Sequence, residues 1–127
     1  MKLLAKRGED YLETIYNMSA EHGGHAHSAD IARALGVSKP TVFKALQTLA
    51  EQGYLIKQSY GDVTLTEKGK THAKSVIEKH NTVKKLLTEV LKVSPEQAEI
   101  DACKIEHCLS HETMDKLLAF LDTFSRK

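Results

Sequence analysis

The stretch ADIARALGVSKPTVFKALQTLAEQGYL, residues 29–55, decides the fold. Ser28 is placed to cap a short helix over ADIARALG, and Gly36 ends it. Small Ala32 sits where two helices must approach closely, and apolar Val37 is placed to plug the core. A second helix follows at once. Ser38 is its expected N-cap, Pro40 falls in the first turn where a missing N–H costs nothing, and Gly53 is a natural stop. Val42, Leu46 and Leu49 make its buried stripe.

Working outward, residues 3–20 carry the helical apolar stripe Leu4, Tyr11, Leu12, Ile15, Tyr16 and Met18, with Asp10, Glu13 and Asn17 off that face. EHGGHAH breaks it. After Gly53 the period shortens: Tyr54–Gln58 and Val63–Leu65 are β-prone around a Gly61-Asp62 turn, a hairpin. Thr66 then caps a long helix to about Leu91. VSPEQ starts another, with Ser94 as N-cap, Pro95 at the first helical position and Gln97 completing a capping box. That helix carries Cys103, Glu106 and His107. Ser110 interrupts or caps, and MDKLLAFLDTF is a final amphipathic helix. Helix, short helix, tight turn, helix, hairpin is the order of a winged helix-turn-helix. The expected fold is mainly α, with a winged helix-turn-helix domain at 1–71 and an α-helical domain at 72–127. The plain alternative is a three-helix interaction module with a decorative hairpin.

A chain of 127 residues with 28% charged and 41% hydrophobic side chains and no tryptophan suits one or two small folded units, and argues against an aromatic-rich β-sandwich. No apolar run approaches a membrane span, and the N-terminus turns charged too soon for a signal peptide, so a cytoplasmic location with reduced thiols is expected and no membrane partner. Cys103 and Cys108, five apart on one helix, are poorly placed to bridge. The overall charge of +1 hides eight basic against four acidic residues between Arg33 and Lys79. This suits a phosphate-facing surface, although a solvated face explains it as well.

In a helix-turn-helix the second helix enters the major groove by its N-terminal turn. Ser38, Lys39, Thr41 and Lys44 occupy that end, and Pro40 offers apolar contact to a thymine methyl. Lys57, Ser59 and Tyr60 on the wing are candidates for phosphate contacts, which position without reading sequence. Helix-start chemistry alone would also account for Ser38 and Pro40.

CKIEHCLSH, residues 103–111, raises a different chemistry. Cys103, Glu106 and His107 stand at i, i+3 and i+4, one helix face, and offer thiolate, carboxylate and imidazole donors to a first-row metal. Asp10 and Glu13 add two carboxylates at i and i+3, and His80 lies on the helix between. Cysteine as a small buried hydrophobe is the ordinary alternative. The loop histidines His22, His25 and His27, with His72, are read as incidental; Cys108 is read as packing and His111 as a helix start.

EDYLETIY, YGDVTLTEKGK, EKHNTV and CKIEHCLS, with the helix-turn-helix, resemble the diphtheria toxin repressor / manganese transport regulator family over essentially the whole chain. The resemblance implies a winged-helix dimer that binds palindromic operator DNA when loaded with Fe(II) or Mn(II) and represses metal-uptake genes. Asp10, Glu13, His80, Glu106 and His107 match ligands of the manganese branch. That branch's remaining carboxylate falls on Cys103, where the iron branch has cysteine. The iron branch has methionine where Asp10 stands, a carboxylate at Lys84 and a histidine at Glu99, so its ancillary site is not expected in its usual form. The resemblance also implies the shorter manganese-type architecture, without the iron branch's C-terminal SH3-like domain. The Cys103 thiolate favours Fe(II), Co(II) or Zn(II) over Mn(II), while Asp10 and Glu13 favour harder ions, so Fe(II) is expected first and Mn(II) second, with Co(II) or Zn(II) able to substitute in vitro; one ion or two remain open. Metal is expected to join ligands on the first helix to those on the later ones and so to orient the two reading helices of a homodimer. Met114, Leu117, Leu118, Leu121 and Phe124 of the last helix are assigned to the dimer interface. The rivals are a metal-independent winged-helix regulator and a small metallo-hydrolase using Cys103, Glu106 and His107. The second lacks an evident general base and a substrate cleft.

Overall fold

Helix α1 (Lys6–Glu21) buries Tyr11, Leu12 and Ile15, and the 3–4 spacing of those positions is why this segment is a helix with one inward face. The computed structural model describes residues 6–125, so Leu4 of the expected stripe lies outside the described residues. Two compact units divide the chain, Met1–Lys74 and Ser75–Lys127.

In the first unit, β1 (Ala26–His27) leads into α2 (Ser28–Leu35). The cap of α2 is His27 rather than Ser28: the His27 Nδ1 accepts the Ala29 N–H at 3.2 Å, and Ser28 is already helical. An imidazole lone pair does here what a hydroxyl usually does. Gly36, in the left-handed region at φ 67°, closes α2 as expected. Helix α3 (Lys39–Glu51) starts where the sequence puts it, with Ser38 Oγ accepting the Thr41 N–H at 3.3 Å and Pro40 in the first turn.

Strands β2 (Leu55–Lys57) and β3 (Asp62–Leu65) pair antiparallel, with Ile56 opposite Thr64. The tip differs from the expected Gly61-Asp62 turn. Ser59–Gly61 form a single 3-10 turn with Tyr60 at φ 60°, and Asp62 belongs to β3. The hairpin is also not alone: β1 pairs with the other flank of β3, Ala26 opposite Val63, giving the order β1-β3-β2. Helix α4 (Glu67–Lys85) is capped by Thr66, whose Oγ1 accepts the Gly69 N–H at 3.1 Å and donates to the Gly53 carbonyl at 2.6 Å. Gly69 is a close-approach position, because a Cβ there would stand 2.0 Å from the Tyr54 carbonyl oxygen. One core joins these elements, Tyr11, Leu12, Ile15, Ile31, Val42, Leu46, Leu49, Leu55, Val63 and Leu65 among its members. Each such side chain contributes roughly 1.5–3 kcal/mol when fully buried.

The second unit begins within α4. The regular helix ends at Lys85 rather than near Leu91, and Leu86–Val90 form a wider π turn, Leu91 N–H bonding the Leu86 carbonyl at 3.1 Å. Lys92, at φ 61°, takes the left-handed conformation more often given to glycine and ends the helix there. Helix α5 (Pro95–Ile105) starts on Ser94, whose Oγ accepts the Gln97 N–H at 3.3 Å. Only half of the expected capping box forms, because the Gln97 amide turns to Asp101 at 2.9 Å. A 3-10 turn, Glu106–Cys108, comes next, and then α6 (His111–Ser125), capped by Ser110 Oγ on the Thr113 N–H at 3.1 Å. Val83, Leu87, Ala98, Ala102 and Met114 form the core of this unit. No helix of the described residues is long and apolar enough to cross a membrane.

Candidate metal centre and nucleic-acid face

Glu106 is the anomaly of the second unit: a carboxylate 1% exposed. An ionised carboxylate left unneutralised inside a protein costs several kcal/mol. Its surroundings are set by where α5 ends. Cys103 lies in the last turn of α5, and Glu106 and His107 follow directly in the 3-10 turn that ends it, with Ile105 and Glu106 still right-handed helical. Glu106 Oε2 stands 2.8 Å from His80 Nδ1 of α4, and its Oε1 stands 3.2 Å from His107 Nε2. The His80 Nε2 is held in turn by the Glu99 carboxylate of α5, which lies 3.7 Å from the Lys84 ammonium.

The structure therefore brings together His80, Glu106 and His107. Cys103 is half-buried one turn earlier, and neither cysteine is in a disulfide. Cys108 is exposed, not packed as expected, because the 3-10 turn directs it outward; its Sγ lies 3.8 Å from the Lys104 carbonyl oxygen. Asp10 and Glu13 are half-buried on α1 of the first unit, one turn apart. As the side chains stand, no group of three or more His, Cys, Asp or Glu among the described residues is disposed to hold an ion. The donors contact one another instead. Their chemistry nevertheless fits a divalent ion: two imidazoles converging on a buried carboxylate, with a thiol one turn away, are ligands that first-row metals accept. Glu99 was not among the residues singled out as ligands, although 99, 103 and 106 follow i, i+4, i+7 and mark one polar face.

In the first unit the expected DNA-contacting residues separate into two sets. Ser38 and Thr41 are engaged with each other, Oγ to Oγ1 at 2.8 Å, as helix-start chemistry requires. Lys39, Pro40 and Lys44 are exposed on α3, and Ser59 and Tyr60 are exposed at the wing tip, Tyr60 at 95%. Lys57 of β2 lies over the ring of Phe43, its Nζ 3.9 Å from the centroid. The sequence reading passed over Phe43, which is 57% exposed in the middle of α3. An aromatic residue beside Lys44 on an otherwise polar face was the available signal. Lys39, Pro40, Phe43, Lys57, Gln58 and Asp62 are among the residues lining a groove of about 610 Å³ between α3 and the wing. The electrostatics there favour a polyanion, since the exposed termini of both elements carry lysines and the N-terminal end of α3 adds its dipole.

A winged helix-turn-helix with a basic reading helix, followed by a helical unit that gathers imidazole and carboxylate donors, defines the class of metal-responsive DNA-binding regulators. Residues 3–63 match the iron dependent repressor N-terminal DNA binding domain, and residues 66–127 match the iron dependent repressor metal binding and dimerisation domain. The chain belongs to the diphtheria toxin repressor / manganese transport regulator family. An uncharacterized HTH-type transcriptional regulator of Methanocaldococcus jannaschii is 36% identical over 94% of this chain and 95% of its own length. Transcriptional regulator MntR of Salmonella typhimurium is 43% identical over 88% of this chain and 70% of its own. The solved structure of the manganese regulator SloR superposes with a TM-score of 0.79 at 28% identity, covering 91% of this chain and 53% of that one. The chain spans about half the length of the first solved structures it matches. These relatives are named as regulators, not enzymes.

Proposed function

We propose that this chain is a cytoplasmic, metal-dependent transcriptional repressor that binds palindromic operator DNA as a homodimer and controls metal-homeostasis genes in response to Fe(II) or Mn(II). The observation that carries the reading is the buried Glu106 carboxylate between His80 Nδ1 and His107 Nε2. His80, Glu106 and His107, with the Cys103 thiolate, are the ligands offered by the second unit; Asp10 and Glu13 of α1 are proposed as further ligands on the sequence motif alone. The thiolate of Cys103 supports Fe(II), while harder Asp10 and Glu13, and similarity to a manganese regulator, support Mn(II). A bound divalent ion supplies positive charge and fixed coordination directions. The chain's own part is to offer deprotonated donors whose arrangement suits that ion better in the DNA-competent form, and only such a difference shifts a population. A change from mostly inactive to mostly active needs about 5.5 kcal/mol of differential affinity, within reach of several metal–ligand bonds.

Ser38, Lys39, Pro40, Thr41 and Lys44 at the start of α3, with Lys57, Ser59 and Tyr60 on the wing, form the proposed DNA face. The proposed dimer surface is narrower than the sequence suggests. Met114 and Leu121 are buried, whereas Leu118 (48%), Phe120 (49%) and Phe124 (38%) remain exposed, the last two rings stacked with centroids 6.1 Å apart. The i, i+3, i+7 face of α6 is therefore taken by the subunit itself, and the neighbouring face is left for a partner.

The test is DNA selection from a random-duplex pool under anaerobic conditions, with metal-free protein and with Fe(II), Mn(II), Co(II) or Zn(II) added separately. Enrichment of an inverted repeat only with metal, reversed by chelator, is expected. Equal enrichment with chelator, and a Glu106→Ala variant that behaves as the parent, would favour a metal-independent regulator.

A further inference from the structure

An imidazole in its neutral form has one N–H and one lone pair, and which nitrogen carries which is set by its neighbours. Both nitrogens of His80 face carboxylates here. Nε2 meets Glu99, and Nδ1 lies 2.8 Å from Glu106 Oε2. The two carboxylates are not equivalent: Glu106 is buried, whereas Glu99 is 55% exposed and shares its charge with Lys84, 3.7 Å away. Carboxylates accept and do not donate. An ion entering between Nδ1 and the Glu106 carboxylate takes the Nδ1 lone pair, and the neutral ring then carries its one N–H at Nε2, where Glu99 accepts it.

We propose that Glu99 is the positioning residue of the metal centre: it holds the proton of His80 on Nε2, so that Nδ1 is the atom that binds the ion, and Lys84 sets how strongly Glu99 does this. The inference rests on the proposed metal binding by His80 and Glu106. Glu99 acts through His80 and is not itself a ligand. A carboxylate behind a ligating histidine fixes ring orientation and increases donor strength, and removal of such a partner costs about 10–100-fold in metal affinity. As a plain surface ion pair, by contrast, a half-exposed Glu99 would contribute almost nothing measurable. Lys84 draws on the same carboxylate and weakens its hold on the ring, so loss of the ammonium strengthens the centre.

The experiment compares the full chain with Glu99→Ala, Glu99→Gln and Lys84→Met, whose circular dichroism first shows that they fold. Two measurements are then made: anaerobic Co(II) and Mn(II) titration, and nitrogen-15 spectra of the histidine rings in protein loaded with diamagnetic Zn(II). With Zn(II) bound, the parent His80 is expected as the Nε2–H form held through Nδ1, and Glu99→Ala as a mixture of Nδ1- and Nε2-bound rings with about 10–100-fold weaker Co(II) binding. Glu99→Gln, whose carbonyl still accepts the N–H, recovers at least about 3-fold of that loss, and Lys84→Met binds about 2–5-fold more tightly than the parent. If Glu99→Ala leaves both tautomer and affinity unchanged, or if Gln is as weak as Ala, as a charged direct ligand would make it, the positioning role is overturned. If the parent binds neither Co(II) nor Mn(II), the metal reading itself has failed and this inference goes with it.

Discussion

Glu106→Gln separates the cost of burying a carboxylate from its use. The substitution preserves shape and removes the charge of a side chain with no exposed surface, held between two imidazoles at 2.8 and 3.2 Å. Glutamine still offers a carbonyl to one ring N–H and an N–H to the other ring's lone pair, so the metal-free fold loses little and sheds a desolvation penalty. Metal binding fares otherwise, because a neutral amide oxygen is a much weaker ligand than a carboxylate. A loss of about 100-fold is a modest expectation, being the upper end for residues that only support a ligand. By mass action, metal at 100 times its dissociation constant stabilises the parent by about 2.7 kcal/mol, and the same concentration then stabilises the variant by about 0.4 kcal/mol. For a chain of this size about 2–6 °C accompanies each kcal/mol, so a metal-induced Tm shift of roughly 10 °C should shrink to 1–2 °C. Thermal melts of both proteins, with and without Mn(II), read this directly. The reasoning is refuted if the metal-free variant melts far below the metal-free parent, or if the metal-induced shifts are equal.

Four further expectations concern other parts of the chain. Lys44→Ala should weaken binding to a selected duplex and lower the slope of log affinity against log salt by about one; an unchanged slope removes Lys44 from the phosphate contacts. Phe43→Ala and Lys57→Ala should be non-additive by about 0.5–1 kcal/mol in a double-mutant cycle on DNA affinity, the magnitude of an exposed cation–π contact, and strict additivity would make the 3.9 Å approach inconsequential. Leu118→Asp should shift the protein to monomers in sedimentation without lowering its helix content. Gly69→Ala should destabilise the first unit by at least about 1–3 kcal/mol in urea, because backbone must move to relieve a 2.0 Å approach to the Tyr54 oxygen.

The features legible in the sequence were those encoded locally. Ser38, Pro40, Ser94 and Pro95 announce helix starts through the backbone groups of their own first turn, and the structure puts α3 and α5 there. The apolar periods of Tyr11, Leu12, Ile15 and of Val42, Leu46, Leu49 name buried faces without identifying the elements that cover them. Features settled by distant partners were not legible. Strand β1 is two residues long and exists only because β3 is beside it. His27 displaces Ser28 as a cap, a competition between neighbours that composition does not rank. The π turn at Leu86–Val90 and the 3-10 turn at Glu106–Cys108 each alter helical phase within a few residues, so a 3.6-residue period carried across them assigns the next side chains to the wrong face. The spacing of Cys103, Glu106 and His107 names donor types, and the contacts of Glu106 with His80 and His107 come from another helix and the next turn.

The pairing of β1 with β3 has a consequence for how this protein behaves when crowded. A two-stranded wing standing out from a helical body would offer two open flanks, each a template on which another chain could lay a strand. With β1 on one flank, the borders of the sheet are β1, only two residues long, and β2, three residues long and ending in Lys57. Borders so short give a growing fibril little to extend, and Lys57 adds charge at the longer of the two.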